Sequence, residues 1–204
     1  MVIRPTPALE KCMESLIIST GVVALAEIGD KTQLLAFLLA ARFKKPLPII
    51  AGILCATIVN HGLAGALGAW ITAAVTPEVL RWVLGLSFIG MAIWTLIPDK
   101  IEEEETHIAK RLGVFGATLV TFFLAEMGDK TQIATVAMAA HYATPLLVVI
   151  GTTLGMLIAD VPAVFVGDKL AGKIPMRLVH SIAAGVFAVL GVATLMGAGA
   201  KLGV

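Results

Sequence analysis

Apolar residues fall into six long runs separated by short polar or proline-bearing joints: Leu16–Ala41, Pro48–Trp70, Val79–Ile97, Val114–Ala140, Leu146–Val166 and Val179–Met196. A helix needs ~20 mostly apolar residues to cross a bilayer, so each run predicts a transmembrane helix. Pro46, Pro48, Pro77, Pro98, Pro145 and Pro175 lie at or near the boundaries, where a residue without an N–H disturbs a helix least. The third run is short, with 17 residues free of Asp, Glu, Lys and Arg between Arg81 and Asp99. The first and fourth runs are long and contain charge. At 1.5 Å per residue the first would reach about 39 Å, more than a hydrocarbon core of ~30 Å, so both are predicted to tilt, protrude or break. The first also exceeds the ~7–15 apolar residues of a cleaved leader and reads as a retained helix.

Composition agrees. The chain has 204 residues, 58% of them hydrophobic and 14% charged, with a mean hydropathy of +0.96. Soluble domains run at ~45–50% apolar and ~25% charged, and a globule of this size cannot hide the excess from water. The fold class is therefore an all-α membrane protein with the lipid bilayer as its solvent. The formal net charge of +1 gives no electrostatic footprint for nucleic acid. Cys12 and Cys55, one at the mouth of the first run and one inside the second, lack the spacing of a zinc site and read as unpaired packing thiols.

The chain repeats itself. Glu27-Ile-Gly-Asp-Lys-Thr-Gln33 returns as Glu126-Met-Gly-Asp-Lys-Thr-Gln132, a shift of 99 positions, and 13 of 28 positions are identical between Leu25–Gly52 and Leu124–Gly151. Phe88, Thr95 and Leu96 match Phe187, Thr194 and Leu195 under the same shift. We divide the chain into a first repeat (1–98), an acidic linker (99–112, with Glu102–Glu105) and a second repeat (113–204). Each copy has three runs, an odd number, so the second enters the membrane from the opposite side. Six transmembrane helices as an inverted repeat of two three-helix halves is the architecture expected, with a site near the midplane where the copies meet. Joints one, three and five hold nine Lys and Arg (Arg42, Lys44, Lys45, Lys100, Lys110, Arg111, Lys169, Lys173, Arg177), whereas the other face holds four (Arg4, Lys11, Arg81, Lys201). The odd loops and the linker are expected in the cytoplasm and both termini outside.

The chemistry lies in the repeated motif. A charge at bilayer depth costs ~2.5–3.5 kcal/mol even on a lenient scale, yet Glu27, Asp30, Lys31, Glu126, Asp129 and Lys130 stand near the middle of two apolar runs. On a continuous helix residues three apart share a face, which would align Glu27 with Asp30 and place Gln33 one turn beyond, with Glu126, Asp129 and Gln132 repeating the pattern. Thr32 and Thr131 add hydroxyls, while Gly29 and Gly128 permit close helix contact or a local break. Four carboxylates with neutral oxygens suit a hard divalent cation: calcium, manganese or magnesium. Met127 is a soft atom beside the second motif, and packing is its more ordinary role. Each motif sums to −1, so one divalent cation or two protons would neutralise the pair. A site that is neutral in both loaded states is what a cation/proton exchanger requires.

Two copies of E-x-G-D-K-[TS] in a six-run chain split by an acidic linker resemble the cation/proton antiporter family of Golgi manganese and calcium transporters, which includes thylakoid-envelope and bacterial manganese exporters. The resemblance covers nearly the whole chain. It implies transport of Mn2+ or Ca2+ against protons or sodium, without a prosthetic group. It also implies cation binding by Glu27, Asp30 and Thr32 with Glu126, Asp129 and Thr131, joined by the motif residues Gly29, Lys31, Gly128 and Lys130. The short chain without a leader is similar to the bacterial branch, which implies manganese export across the plasma (inner) membrane.

His61 in the second run aligns with Asp160 in the fifth, and both are candidate proton relays. Gly62, Gly65 and Gly68, and Gly151 with Gly155, read as close helix packing. The alternatives are an exporter of amino acids or another small organic solute, a metal-uptake protein or passive channel, and an intramembrane aspartyl protease built on Asp30 and Asp129. The protease reading is weakened by the Lys after each Asp. Four acids are a poor match for an anionic solute.

Overall fold

The computed structural model describes residues 7–97, 109–142, 144–166 and 176–197. All their regular structure is helical: α1 (Pro7–Glu27), α2 (Lys31–Phe43), α3 (Pro46–Ala74), α4 (Pro77–Thr95), α5 (Ala109–Glu126), α6 (Lys130–Tyr142), α7 (Pro145–Val166) and α8 (Met176–Leu195). Prolines open α3, α4 and α7, at the turn where the missing N–H has no intrahelical partner. The Glu102–Glu105 stretch of the linker lies outside the described residues, as do Arg4, Lys100, Lys169, Lys173 and Lys201.

The two long charged runs break, as one of the three expected outcomes allowed. α1 and α2 meet at 68°, and α5 and α6 at 70°, across the motif. α3, α4 and α7 are each long and apolar enough to cross a membrane, each bent pair qualifies as a fourth and fifth span, and α8 adds a shorter apolar helix over Ser181–Leu195. Large apolar side chains point outward, among them Leu47, Trp70, Ile93, Phe165 and Val189. The motif acids, Asp160 and many helix hydroxyls, among them Ser15, Ser19, Thr57, Thr121 and Thr135, are buried instead. This inversion of the soluble pattern fits a lipid exterior.

Packing interleaves the two copies. α1 lies along α7, α3 along α5, α6 and α7, and α4 along α8. The 99-residue shift exchanges the α1–α7 pairing with the α3–α5 pairing. At atomic detail, a Cβ on Gly52 would sit 2.7 Å from the Thr118 Cβ and 2.9 Å from the Phe115 carbonyl. A Cβ on Gly151 would meet the Ser19 Cβ at 3.0 Å and the Leu16 carbonyl at 2.7 Å. Leu16 and Ser19 are the repeat counterparts of Phe115 and Thr118, so one close helix crossing is made twice. Phe88 stacks on its own counterpart Phe187, centroids 6.5 Å apart, as residues beside an axis relating two copies would. Gly65, Gly68 and Gly155 also face tight contacts, but Gly62 has nothing within 4 Å and does not serve close packing.

Candidate cation site

Each motif occupies the break in its helix pair. α1 ends at Glu27 and α2 begins at Lys31, with Asp30 in extended conformation as the residue before the new helix. α5 ends at Glu126 and α6 begins at Lys130. Gly29 and Gly128 have φ of 85° and 77°, a left-handed conformation that disfavours side chains. Glutamines fasten the turn from inside. The Gly29 N–H donates to the Gln33 Oε1 at 2.9 Å and the Gly128 N–H to the Gln132 Oε1 at 2.7 Å. These bonds resemble a capping box reaching one residue further back.

The break corrects two expectations. Glu27 and Asp30 do not share a helix face, because the helix ends between them, and the same holds for Glu126 and Asp129. Gln33 and Gln132 direct their oxygens at backbone amides of the break; Gln33 also donates from Nε2 to the Ala159 carbonyl at 3.0 Å. Met127 is about half exposed on the outside and belongs neither to the core nor to the motif cluster.

What the structure gathers is a buried electrostatic cluster shared by both copies. Glu27, Asp30, Glu126, Asp129 and Asp160 are all buried, as are Thr32, Thr131 and Lys130. Glu126, Asp129 and Asp160 lie near enough to act electrostatically on Glu27, and Asp129, Asp160 and Asp30 act on Glu126. The Thr32 hydroxyl donates to the Glu27 Oε2 at 2.5 Å, and the Thr131 hydroxyl to the Glu126 Oε2 at 2.8 Å. The other oxygen of each glutamate, Oε1, is buried without a hydrogen-bond partner. Such a group carries its full desolvation penalty. Threonine thus fixes each glutamate's rotamer while leaving one oxygen for something else.

The lysines cross between copies. Lys130 Nζ lies 2.8 Å from Asp30 Oδ1, with neither side chain exposed, and Lys31 Nζ lies 3.7 Å from Asp129 Oδ2. Each lysine follows the aspartate of its own motif in the chain, and the fold pairs it with the aspartate of the other. Among the described residues no three His, Cys, Asp or Glu side chains converge as a ready metal cage, and two ammonium groups stand among the acids.

Asp160 on α7 and His61 on α3 are buried, and none of their side-chain N or O atoms has a hydrogen-bond partner. Asp160 reaches the motif acids electrostatically. Thr57 and Asn60 are also buried on α3, with Asn60 Nδ2 donating to the Phe123 carbonyl at 3.0 Å. Thr57, at helical spacing from Asn60 and His61, was legible as one polar face but passed unnoticed in an apolar run.

Comparison with known proteins now decides the family. The sequence model of the divalent cation/proton antiporter GDT1 matches residues 15–103 and again 114–201. The chain belongs to the GDT1 family. It is 52% identical over 194 residues to a Vibrio cholerae protein named "Putative manganese exporter", covering 95% of this chain and 96% of that one. It is 30% identical to GDT1-like protein 3 of Oryza sativa subsp. indica over 83% of this chain and 69% of the relative. With GDT1-like protein 5 of Arabidopsis thaliana it shares 26% identity over 87% and 93% of the two chains. No solved structure matches. As a GDT1 member the chain is a membrane transporter of divalent cations, and the organic-solute and protease readings fall away.

Proposed function

We propose that this protein exports manganese across the bacterial plasma membrane in exchange for protons, through one site built from both motifs. The observation that carries this reading is the pair of wholly buried glutamates, Glu27 and Glu126, each steered by a threonine and each with one oxygen lacking a partner. The crossed Lys–Asp pairs offset the aspartate charges. With Asp160 set apart as a proton carrier, Glu27 and Glu126 supply the −2 that one Mn2+ or two protons would match, which is the arithmetic of an exchanger. Asp30, Asp129, Thr32 and Thr131 complete the oxygen donors for a hard cation. In this reading Asp160 and His61, both buried with side-chain polar atoms lacking a hydrogen-bond partner, carry the protons. In this reading the copies are inverted in the membrane, with the odd loops cytoplasmic.

The test is uptake of radioactive manganese into everted membrane vesicles. Uptake driven by an imposed pH gradient and abolished by its collapse is expected. Glu27→Gln and Glu126→Gln should each abolish transport, because the copies share one site. Uptake that follows a sodium gradient and ignores pH would reassign the counter-ion, and calcium uptake with manganese excluded would reassign the substrate.

A further inference from the structure

His61 is buried on α3 with neither ring nitrogen hydrogen-bonded, and beside it Thr57 Oγ1 and Asn60 Oδ1 are buried without a partner. Thr95, Thr121 and Thr135, equally buried on helices, each donate to the carbonyl four residues back; Thr57 does not. The duplicated fold does not need polar groups here. Under the 99-residue shift the counterparts of Thr57 and Asn60 are Met156 and Ala159, which are buried as well. An orphaned hydroxyl, amide oxygen and imidazole on α3 thus carry a desolvation cost that packing does not require. Their place points to the cation site. Asn60 Nδ2 donates to the Phe123 carbonyl at 3.0 Å, and Phe123 precedes Glu126 by about 4.5 Å of helical rise. The repeat counterpart of His61 is Asp160, which acts electrostatically on both Glu27 and Glu126. The helix crossings that carry the two are equivalent, Gly52 of α3 on Thr118 of α5 and Gly151 of α7 on Ser19 of α1. The glutamates therefore have a carboxylate toward α7 and an imidazole toward α3.

We propose that His61 is a nitrogen ligand of the transported cation, joining Glu27 and Glu126 from the α3 side and selecting a first-row transition dication over calcium. This rests on the transport reading above. Calcium and magnesium take oxygen ligands, whereas imidazole binds transition dications through a ring-nitrogen lone pair. The two glutamates supply the charge, and the neutral imidazole adds discrimination without adding charge. Among the described residues these groups do not converge as a cage, so binding gathers them. Asn60 is a positioning residue: its bond to the Phe123 carbonyl ties α3 to the helix that carries Glu126. The lone pair that takes the metal in one half of the cycle takes a proton in the other, which makes His61 a proton carrier by virtue of being a ligand.

Mn2+ is paramagnetic, so pulsed electron paramagnetic resonance of the purified full chain loaded with Mn2+ reads a coordinated nitrogen directly, without requiring transport. Nitrogen coupling is expected in the wild type. It should vanish in His61→Gln and persist when the other three histidines, His107, His141 and His180, are all replaced by glutamine. His61→Gln should also weaken Mn2+ binding at least about tenfold while leaving the Ca2+ Kd within about twofold; a role confined to packing would weaken both alike. The wild type and the variant that keeps only His61 decide the matter where His61→Gln does not fold. Mn2+ bound without nitrogen coupling, coupling that survives His61→Gln or is lost with the other three histidines, or equal weakening of the two cations would overturn the proposal and leave the transport reading standing. A wild type that binds no Mn2+ would refute both.

Discussion

Gly128 isolates the cost of backbone conformation, since a Cβ there would have nothing within 4 Å and φ is 77°. Gly128→Ala should lower stability by roughly 1–2 kcal/mol through conformation alone, seen as a drop in Tm. Gly128→Asn should lose less, because asparagine tolerates the left-handed region. Equal losses would mean that something other than φ is at stake. The acids at this scale were legible in sequence, because a carboxylate inside an apolar run has few structural reasons to be there. Their partners were not. Lys31 follows Asp30 in the chain but reaches Asp129, and Gln33 reaches back to the Gly29 amide instead of pointing along a helix face. Both outcomes depend on a turn that local spacing does not specify.

At the scale of elements, run length and the glycine in each motif allowed a break without fixing it. A mid-run glycine is compatible with an intact helix, so the expectation that Glu27 and Asp30 share a face was the natural one. It failed because Gly29 takes a positive φ. Helix contacts were partly legible. Gly52 and Gly151 lie at repeat-equivalent crossings where a Cβ would approach a carbonyl at 2.9 Å and 2.7 Å, whereas Gly62, equally plausible in sequence, faces open space. Gly151→Val should force α1 from α7 and cost on the order of 1–3 kcal/mol or more, with transport falling in parallel. Gly62→Val should leave transport near wild type, losing only the small effect of β-branching in a helix. Similar losses in both variants, measured as thermal stability in detergent beside vesicle uptake, would contradict the packing described.

At the scale of the molecule, a 99-residue shift named residues that recur, and Phe88 stacked on Phe187 places two of them together in an all-helical membrane protein. Orientation in the membrane rests on basic residues, many of them outside the described segments. With Cys12 and Cys55 replaced, Lys44→Cys and Glu103→Cys should resist a membrane-impermeant thiol reagent added outside cells, and Val2→Cys and Val204→Cys should react. Labelling of position 103 from outside would reverse the topology. In the proposed exchange cycle protons and a divalent cation compete for the same buried carboxylates. A hard cation binds the ionised form, so acidification must weaken binding and raising the pH must strengthen it. The most direct measurement is the manganese Kd of the purified protein from about pH 5.5 to 8.5, wild type beside Glu27→Gln and Glu126→Gln. Affinity should fall steeply as pH drops, approaching roughly two protons per metal in the wild type, with weaker binding and a shallower dependence in each variant. A Kd that stays flat across that range would contradict exchange at these glutamates.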